Sequence, residues 1–127
     1  MESKRQKQVA ELIKRNFSIV LQQEGGYLYG HQVLVTVTTV HMSPDLALAK
    51  IYLSVFNTEN KQEPLLMLET EIIRLRQALG QRIRKLVRII PEIAFYLDDT
   101  IDEMYRVEEL MSRLHRDGQM GKEANNP

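Results

Sequence analysis

Apolar residues recur along the chain at two periods, and the switches between them mark the elements. Val9, Leu12, Ile13, Phe17 and Val20 step by three and four, the stripe of an amphipathic helix over residues 4–23. Ser3-Lys4-Arg5-Gln6 opens it as a capping box: the Ser3 hydroxyl accepts from a free backbone N–H while Gln6 reaches back. Gly25-Gly26 predicts its end. Val33 to Val40 is a β-branched run with the composition of a strand. Met42-Ser43-Pro44-Asp45 then punctuates the chain, because proline fixes φ and aspartate accepts turn N–H groups. Next, Ala49, Ile51, Leu53 and Val55 alternate with Lys50, Tyr52 and Ser54, which predicts a strand with one face on a core. The two runs read as an antiparallel hairpin.

Asn57 to Glu63 is polar, and Pro64 suits the first turn of a helix, where its missing N–H costs nothing. Leu65, Leu68, Ile72, Leu75, Leu79, Ile83, Leu86 and Ile90 then fall within about 80° of helical arc, a narrow core stripe. A single long helix is therefore expected from Pro64 until Pro91 ends it. Gly80 sits inside it, at a cost of about 1 kcal/mol relative to alanine, and marks either a bend or a close approach. Ile93, Phe95 and Leu97 alternate with Ala94 and Tyr96, a third short strand. Thr100-Ile101-Asp102-Glu103 is a second capping box, opening a helix to about His115. Residues 117–127 lack apolar periodicity and are expected to form a flexible tail. The expected order is α-β-β-α-β-α: an α+β domain over residues 1–116, with a three-stranded sheet covered by helices on one face.

Composition narrows the function. The 127 residues suit one domain, and 43% hydrophobic content suffices for a core. The absence of cysteine excludes disulfides, thiolate metal sites and a thiol nucleophile. Met1-Glu2-Ser3-Lys4-Arg5 is no secretory signal, and the apolar runs are too short to span a bilayer. A cytoplasmic protein with no membrane role is expected. His31, His41 and His115 share no ligand spacing, and no phosphate-binding glycine loop or nucleophile motif occurs. The chain therefore reads as no enzyme, with no cofactor, no metal and no small-molecule substrate. Asp98, Asp99, Asp102 and Glu103 could suggest magnesium, but Thr100 and Glu103 already fit helix capping.

The formal charge is zero, with 17 basic and 17 acidic side chains, yet the distribution is uneven. Arg74, Arg76, Arg82, Arg84, Lys85 and Arg88 lie in a stretch without acids. An acidic segment follows, from Glu92 to Glu109. Such asymmetry points to a polyanionic partner in spite of the neutral sum. Arginine suits RNA because its planar fork pairs with phosphate and stacks on bases. The competing reading is a solvated helix face partly paired with the acidic segment. Lys4, Arg5 and Lys7, with Lys14 and Arg15, form a second basic set on the first helix. Tyr27, Tyr29, Tyr52 and Tyr96 could stack on bases, although cross-strand packing is commoner for the latter two.

Two segments carry a family resemblance. Asp45-Leu46-Ala47-Leu48-Ala49-Lys50-Ile51-Tyr52-Leu53-Ser54-Val55 resembles the Asp-Leu…Ala-Lys-Val-Tyr-Val-Ser strand of the ribosome-binding factor A family. Arg88-Ile89-Ile90-Pro91-Glu92-Ile93-Ala94-Phe95-Tyr96-Leu97-Asp98-Asp99-Thr100 resembles that family's Arg-x-x-Pro-Glu-Leu-x-Phe-x-x-Asp-x-Ser segment. The likeness spans about residues 3–115, and the ordered pair of motifs makes it specific. It implies a type II K-homology-like fold. It also implies a bacterial assembly factor that binds the small ribosomal subunit and its ribosomal RNA during late maturation, as in 30S biogenesis and rRNA processing; a monomer is expected. The family's long helix carries an Ala-x-Gly kink. Here Ala78-Leu79-Gly80 fits that pattern, several residues after Leu75-Arg76, the step that best fits the family's spacing. From the residues alone, a protein-interaction module remains open, with the arginine stripe docking an acidic partner or a second copy.

Overall fold

A computed structural model describes residues 2–98. The helix expected over 100–115 and the tail over 117–127, and with them the domain boundary, lie outside the described residues. The element order is α1 (Lys4–Tyr29), β1 (Leu34–Met42), β2 (Leu48–Phe56), α2 (Gln62–Thr70), α3 (Ile72–Ile83) and β3 (Glu92–Leu97). All three helices share one apolar core with the inward residues of all three strands, so they lie on the same face of the sheet. This is the expected α+β layering.

The capping box forms as read. The Gln6 backbone N–H donates to Ser3 Oγ at 3.1 Å, and the Ser3 N–H donates to Gln6 Oε1 at 2.7 Å. The Gln6 side chain has a second task, because its Nε2 donates to the Met42 carbonyl at 2.9 Å in a buried setting. One amide therefore ties the start of α1 to the end of β1. The helix does not stop at Gly25-Gly26 but runs to Tyr29, with Gly30 as its cap at φ +88°. Lacking side chains, Gly25 and Gly26 let the rings of Tyr29 and His31 fold back over them, which a methyl group would block.

The hairpin between β1 and β2 is antiparallel, and its register slips between Val37 and Thr39. The slip is a bulge at Thr38, whose hydroxyl donates to the Tyr52 carbonyl at 3.2 Å and to Asp98 Oδ2 at 2.5 Å. It brings Val37 and Val40 to the same face, where both are buried. The turn between the strands is closed by the Leu46 N–H donating to the Ser43 carbonyl at 2.9 Å. Asp45 Oδ1 accepts from the Ser43 hydroxyl at 2.6 Å and from the Ala47 N–H at 3.0 Å. These bonds, the hydroxyl's foremost, hold the Asp45 carboxyl below the usual carboxylate range. They firm the turn at neutral pH and weaken as acid protonates Asp45 at its depressed folded value. Leu46 itself adopts φ +61°, which an L side chain enters only at a cost of about 1–2 kcal/mol.

In the centre, β2 pairs with β1 on one side and runs parallel to β3 on the other, from Leu48↔Glu92 to Leu53↔Leu97. Ala49, Ile51 and Leu53 point into the core and are fully buried, as the alternation predicted. A parallel pair needs a long crossover, which α2 and α3 supply.

That crossover is not one helix. It breaks at Glu71, whose φ −101° and ψ 22° lie outside helical values, and α3 begins at the next residue. The Glu71 N–H donates to both the Met67 and Leu68 carbonyls, the shared bond of a helix terminus. No break occurs at the kink candidate: α3 is continuous through Ala78 and Gly80. Gly80 instead accommodates a close neighbour, because a Cβ there would stand 3.5 Å from Ile90 Cγ1. The helix also ends early, at Ile83. The Leu86 and Val87 N–H groups both donate to the Ile83 carbonyl, closing a turn that starts the chain back towards the sheet. Leu86, expected in the core stripe, is consequently 58% exposed.

Two outcomes check these packing assignments by urea unfolding. Gln6→Leu leaves the Met42 carbonyl buried without its donor and opens the cap, so it should cost about 1–3 kcal/mol. Gly80→Ala meets Ile90 only at ordinary contact distance, so it should be neutral or stabilise by up to about 1 kcal/mol.

Candidate nucleic-acid interface

The basic run 74–88 starts on a helix and finishes off it. Arg74, Arg76 and Arg82 ride on α3, and Arg84 is its C-terminal cap. Lys85 falls in the following turn and Arg88 in the segment leading to β3. The expectation of one uninterrupted basic helix is corrected accordingly, because the turn at Ile83 takes the last three cations out of helical register.

The structure then divides these six by what they touch. Arg74 pairs with Glu24 of α1, Nη2 to Oε2 at 2.6 Å. Arg76 is largely occupied by its own backbone neighbours: Nε donates to the Pro91 carbonyl at 2.9 Å and Nη2 to the Ile90 carbonyl at 2.7 Å. Glu92 Oε1 stands 3.7 Å away. This guanidinium therefore clamps the entry to β3. Arg82 Nε donates to the neutral Asn16 Oδ1 at 3.2 Å, and no carboxylate among the described residues pairs with its charge. Arg84, Lys85 and Arg88 are exposed, and their side chains have neither hydrogen bond nor ion pair among the described residues.

Arg74 meets residue 24 and Arg82 meets residue 16, so α1 and α3 run antiparallel. The end of α3 therefore lies beside the middle of α1, and the segment that follows it returns towards the start of α1, which carries Lys4, Arg5 and Lys7, all exposed. Arg5 and Arg88 line the same cavity. Two basic sets far apart in sequence thus meet at one end of the fold, and the first turn of α1 has no acid to offset them. The partners Glu24 and Asn16 were not singled out from the sequence. No periodic signal links residues that a tertiary helix pairing alone brings together.

Of the tyrosines, Tyr27 is exposed while Tyr29, Tyr52 and Tyr96 take part in packing. Tyr52 and Tyr96 stack on each other with ring centroids 5.2 Å apart, and His41 meets Tyr52 edge-on at 5.5 Å. Tyr29 is half-buried, which pushes its hydroxyl above the ordinary tyrosine value. Asp98 holds the Thr38 hydroxyl, while Asp99, Asp102 and Glu103 lie outside the described residues. No helix among the described residues is long and apolar enough to cross a membrane.

Comparison with known proteins places this geometry in a family. A family model for ribosome-binding factor A matches residues 5–111. The ribosome-binding factor A of Cytophaga hutchinsonii is 44% identical over 114 residues, 90% of this chain and 85% of that protein. That of Chlorobaculum parvum is 36% identical, over 88% of this chain and 92% of the other. The crystal structure of ribosome-binding factor A from Thermus thermophilus superposes with a TM-score of 0.60 at 26% identity, covering 72% of this chain and 94% of that one. A homology model of the Thermus thermophilus factor, fitted into the cryo-electron-microscopy map of a 30S complex, gives 0.56 at 27% identity, covering 71% and 91%. The α+β, type II K-homology-like fold stands with these relatives.

The division of arginines has a measurable signature in denaturant. Arg76→Ala should cost about 1–2 kcal/mol by stripping two backbone carbonyls of a charged donor. Arg84→Ala and Arg88→Ala should each stay within about 0.5 kcal/mol of the parent.

Proposed function

The chain belongs to the ribosome-binding factor A family, and on that premise we propose that it is a non-catalytic, cytoplasmic assembly factor that holds small-subunit ribosomal RNA during late maturation. The observation that carries the reading is a set of cations from two segments, without an ion pair among the described residues, that leads to the pole where Arg88 and Arg5 meet. Arg82, Arg84, Lys85 and Arg88 come from the end of α3 and the turn after it; Lys4, Arg5 and Lys7 come from the first turn of α1. A polyanion gains most where cations are preassembled and not already neutralised. Arg74 and Arg76 sit further from this pole and are engaged by Glu24 and by the β3 entry, so they contribute little.

The mechanism is selective binding. The folded pole fits one arrangement of RNA phosphates better than its alternatives, and the difference in affinity shifts the RNA population towards that arrangement. No bond is made or broken. The 30S complex of the Thermus thermophilus factor supports the small subunit as the target.

The test is binding of an Arg84/Lys85/Arg88→Glu variant to small-subunit precursors across a potassium chloride series. Losing three phosphate contacts should make the log–log salt slope shallower by about 2 and weaken affinity at low salt at least about tenfold. An unchanged slope together with unchanged affinity would overturn the assignment. Unchanged small-subunit binding in the variant together with lost binding of a purified acidic protein would favour protein docking instead.

A further inference from the structure

At the basic pole the turn between β1 and β2, the start of α1 and the segment before β3 enclose a cavity of about 310 Å³. That volume lies at the lower end of the range for small-molecule sites. Arg5 and Arg88 stand at it, and neither is paired among the described residues. Its apolar walls include Leu46, Val87 and Ile89, and Ile89 is 67% exposed although nothing in its own segment requires an isoleucine at the surface. Asp45 supplies a carboxylate, fixed in place by Ser43 and Ala47. Leu46 is held with a positive φ on this wall.

We propose that this cavity receives one unstacked nucleotide of single-stranded RNA, with the base against the apolar wall and the phosphate between Arg5 and Arg88. The proposal rests on the RNA-binding reading above and deepens it.

Charge and shape both select this occupant. Two guanidiniums against one carboxylate leave a single positive charge, which one phosphodiester neutralises. A flat base covers apolar side chains such as Ile89 and Val87 and can also stack on a guanidinium plane. The strained Leu46 backbone brings an apolar side chain to the wall where a glycine would leave a gap, and such strain persists where the surroundings over-determine it.

Asp45 adds selectivity. Oδ1 already accepts from Ser43 and Ala47, and Oδ2 takes no part in those two bonds. A base offering an exocyclic amino group can donate to Oδ2. Uracil has no amino group, and its one N–H lies between two carbonyls that a carboxylate repels. Cytosine and adenine are therefore preferred over uracil.

The experiment uses the full chain and fluorescein-labelled pentamers of cytidine, adenosine or uridine, read by anisotropy at low salt, with small-subunit binding measured in parallel. The parent should bind the cytidine and adenosine pentamers at least about threefold more tightly than the uridine pentamer. Asp45→Asn keeps an oxygen for Ser43 and Ala47 but replaces the free acceptor by a donor, so it should erase or reverse that preference. Ile89→Glu, at an exposed position that leaves the fold intact, should weaken all three pentamers at least about tenfold by repelling phosphate. Equal binding of the three pentamers by the parent, or no detectable binding, overturns the nucleotide site. So does an unchanged preference in Asp45→Asn. If small-subunit binding persists in those cases, the cavity proposal alone fails. If the parent binds neither pentamers nor small subunits, the RNA-binding reading fails with it.

Discussion

The parallel pairing of β2 with β3 governs where everything else lies. Two parallel strands cannot be joined by a tight turn, so the chain must travel the length of the sheet and return. α2 and α3 make that journey, and the register that begins at Leu48↔Glu92 sets where it finishes. The Glu92 N–H donates to the Ala47 carbonyl at 2.8 Å, so β3 starts beside the turn between β1 and β2. Gln6 ties the start of α1 to Met42, at the other side of the same turn. Three chain segments are thereby gathered at one pole, and each brings charged groups with it. The basic surface follows from the ladder.

Much of this was legible in the pattern of side chains. The capping box at Ser3 and Gln6 specifies its own geometry over four residues, so local sequence suffices. The inward set Ala49, Ile51 and Leu53 is fixed by a period of two that tolerates no slip without exposing the core. The Glu71 break was not legible, because helical hydrogen bonding resumes at once: the Leu75 N–H donates to the Glu71 carbonyl at 2.9 Å. An apolar stripe records phase and is blind to a change of axis. The early end of α3 escaped for a related reason. Pro91 forbids helix only close to itself, while the chain needs the preceding residues to turn back towards β2. The glycines at 25 and 26 misled because helix-ending glycine and ring-accommodating glycine look alike without the rings in place.

The charged site was legible as a composition and not as a division of labour. A run of arginines without acids says that a basic stretch exists. It does not say that Arg76 will reach the carbonyls of Ile90 and Pro91, or that Glu24 will answer Arg74 from another helix. Those partners depend on the antiparallel alignment of α1 with α3, a property of the whole fold. The segment after α3 brings Arg88 to the cavity that Arg5 lines, a meeting for which the sequence holds no local clue.

The bulge at Thr38 has a consequence for association. In the order β1-β2-β3, β1 is an edge of the sheet among the described residues, with backbone groups available to any passing strand. An extra residue there over-twists the edge and breaks the even spacing a foreign strand would need to zip alongside. Thr38, the first threonine in Val37-Thr38-Thr39-Val40, therefore acts as a guard against fibrous self-assembly, while Val37 and Val40 keep their places in the interior.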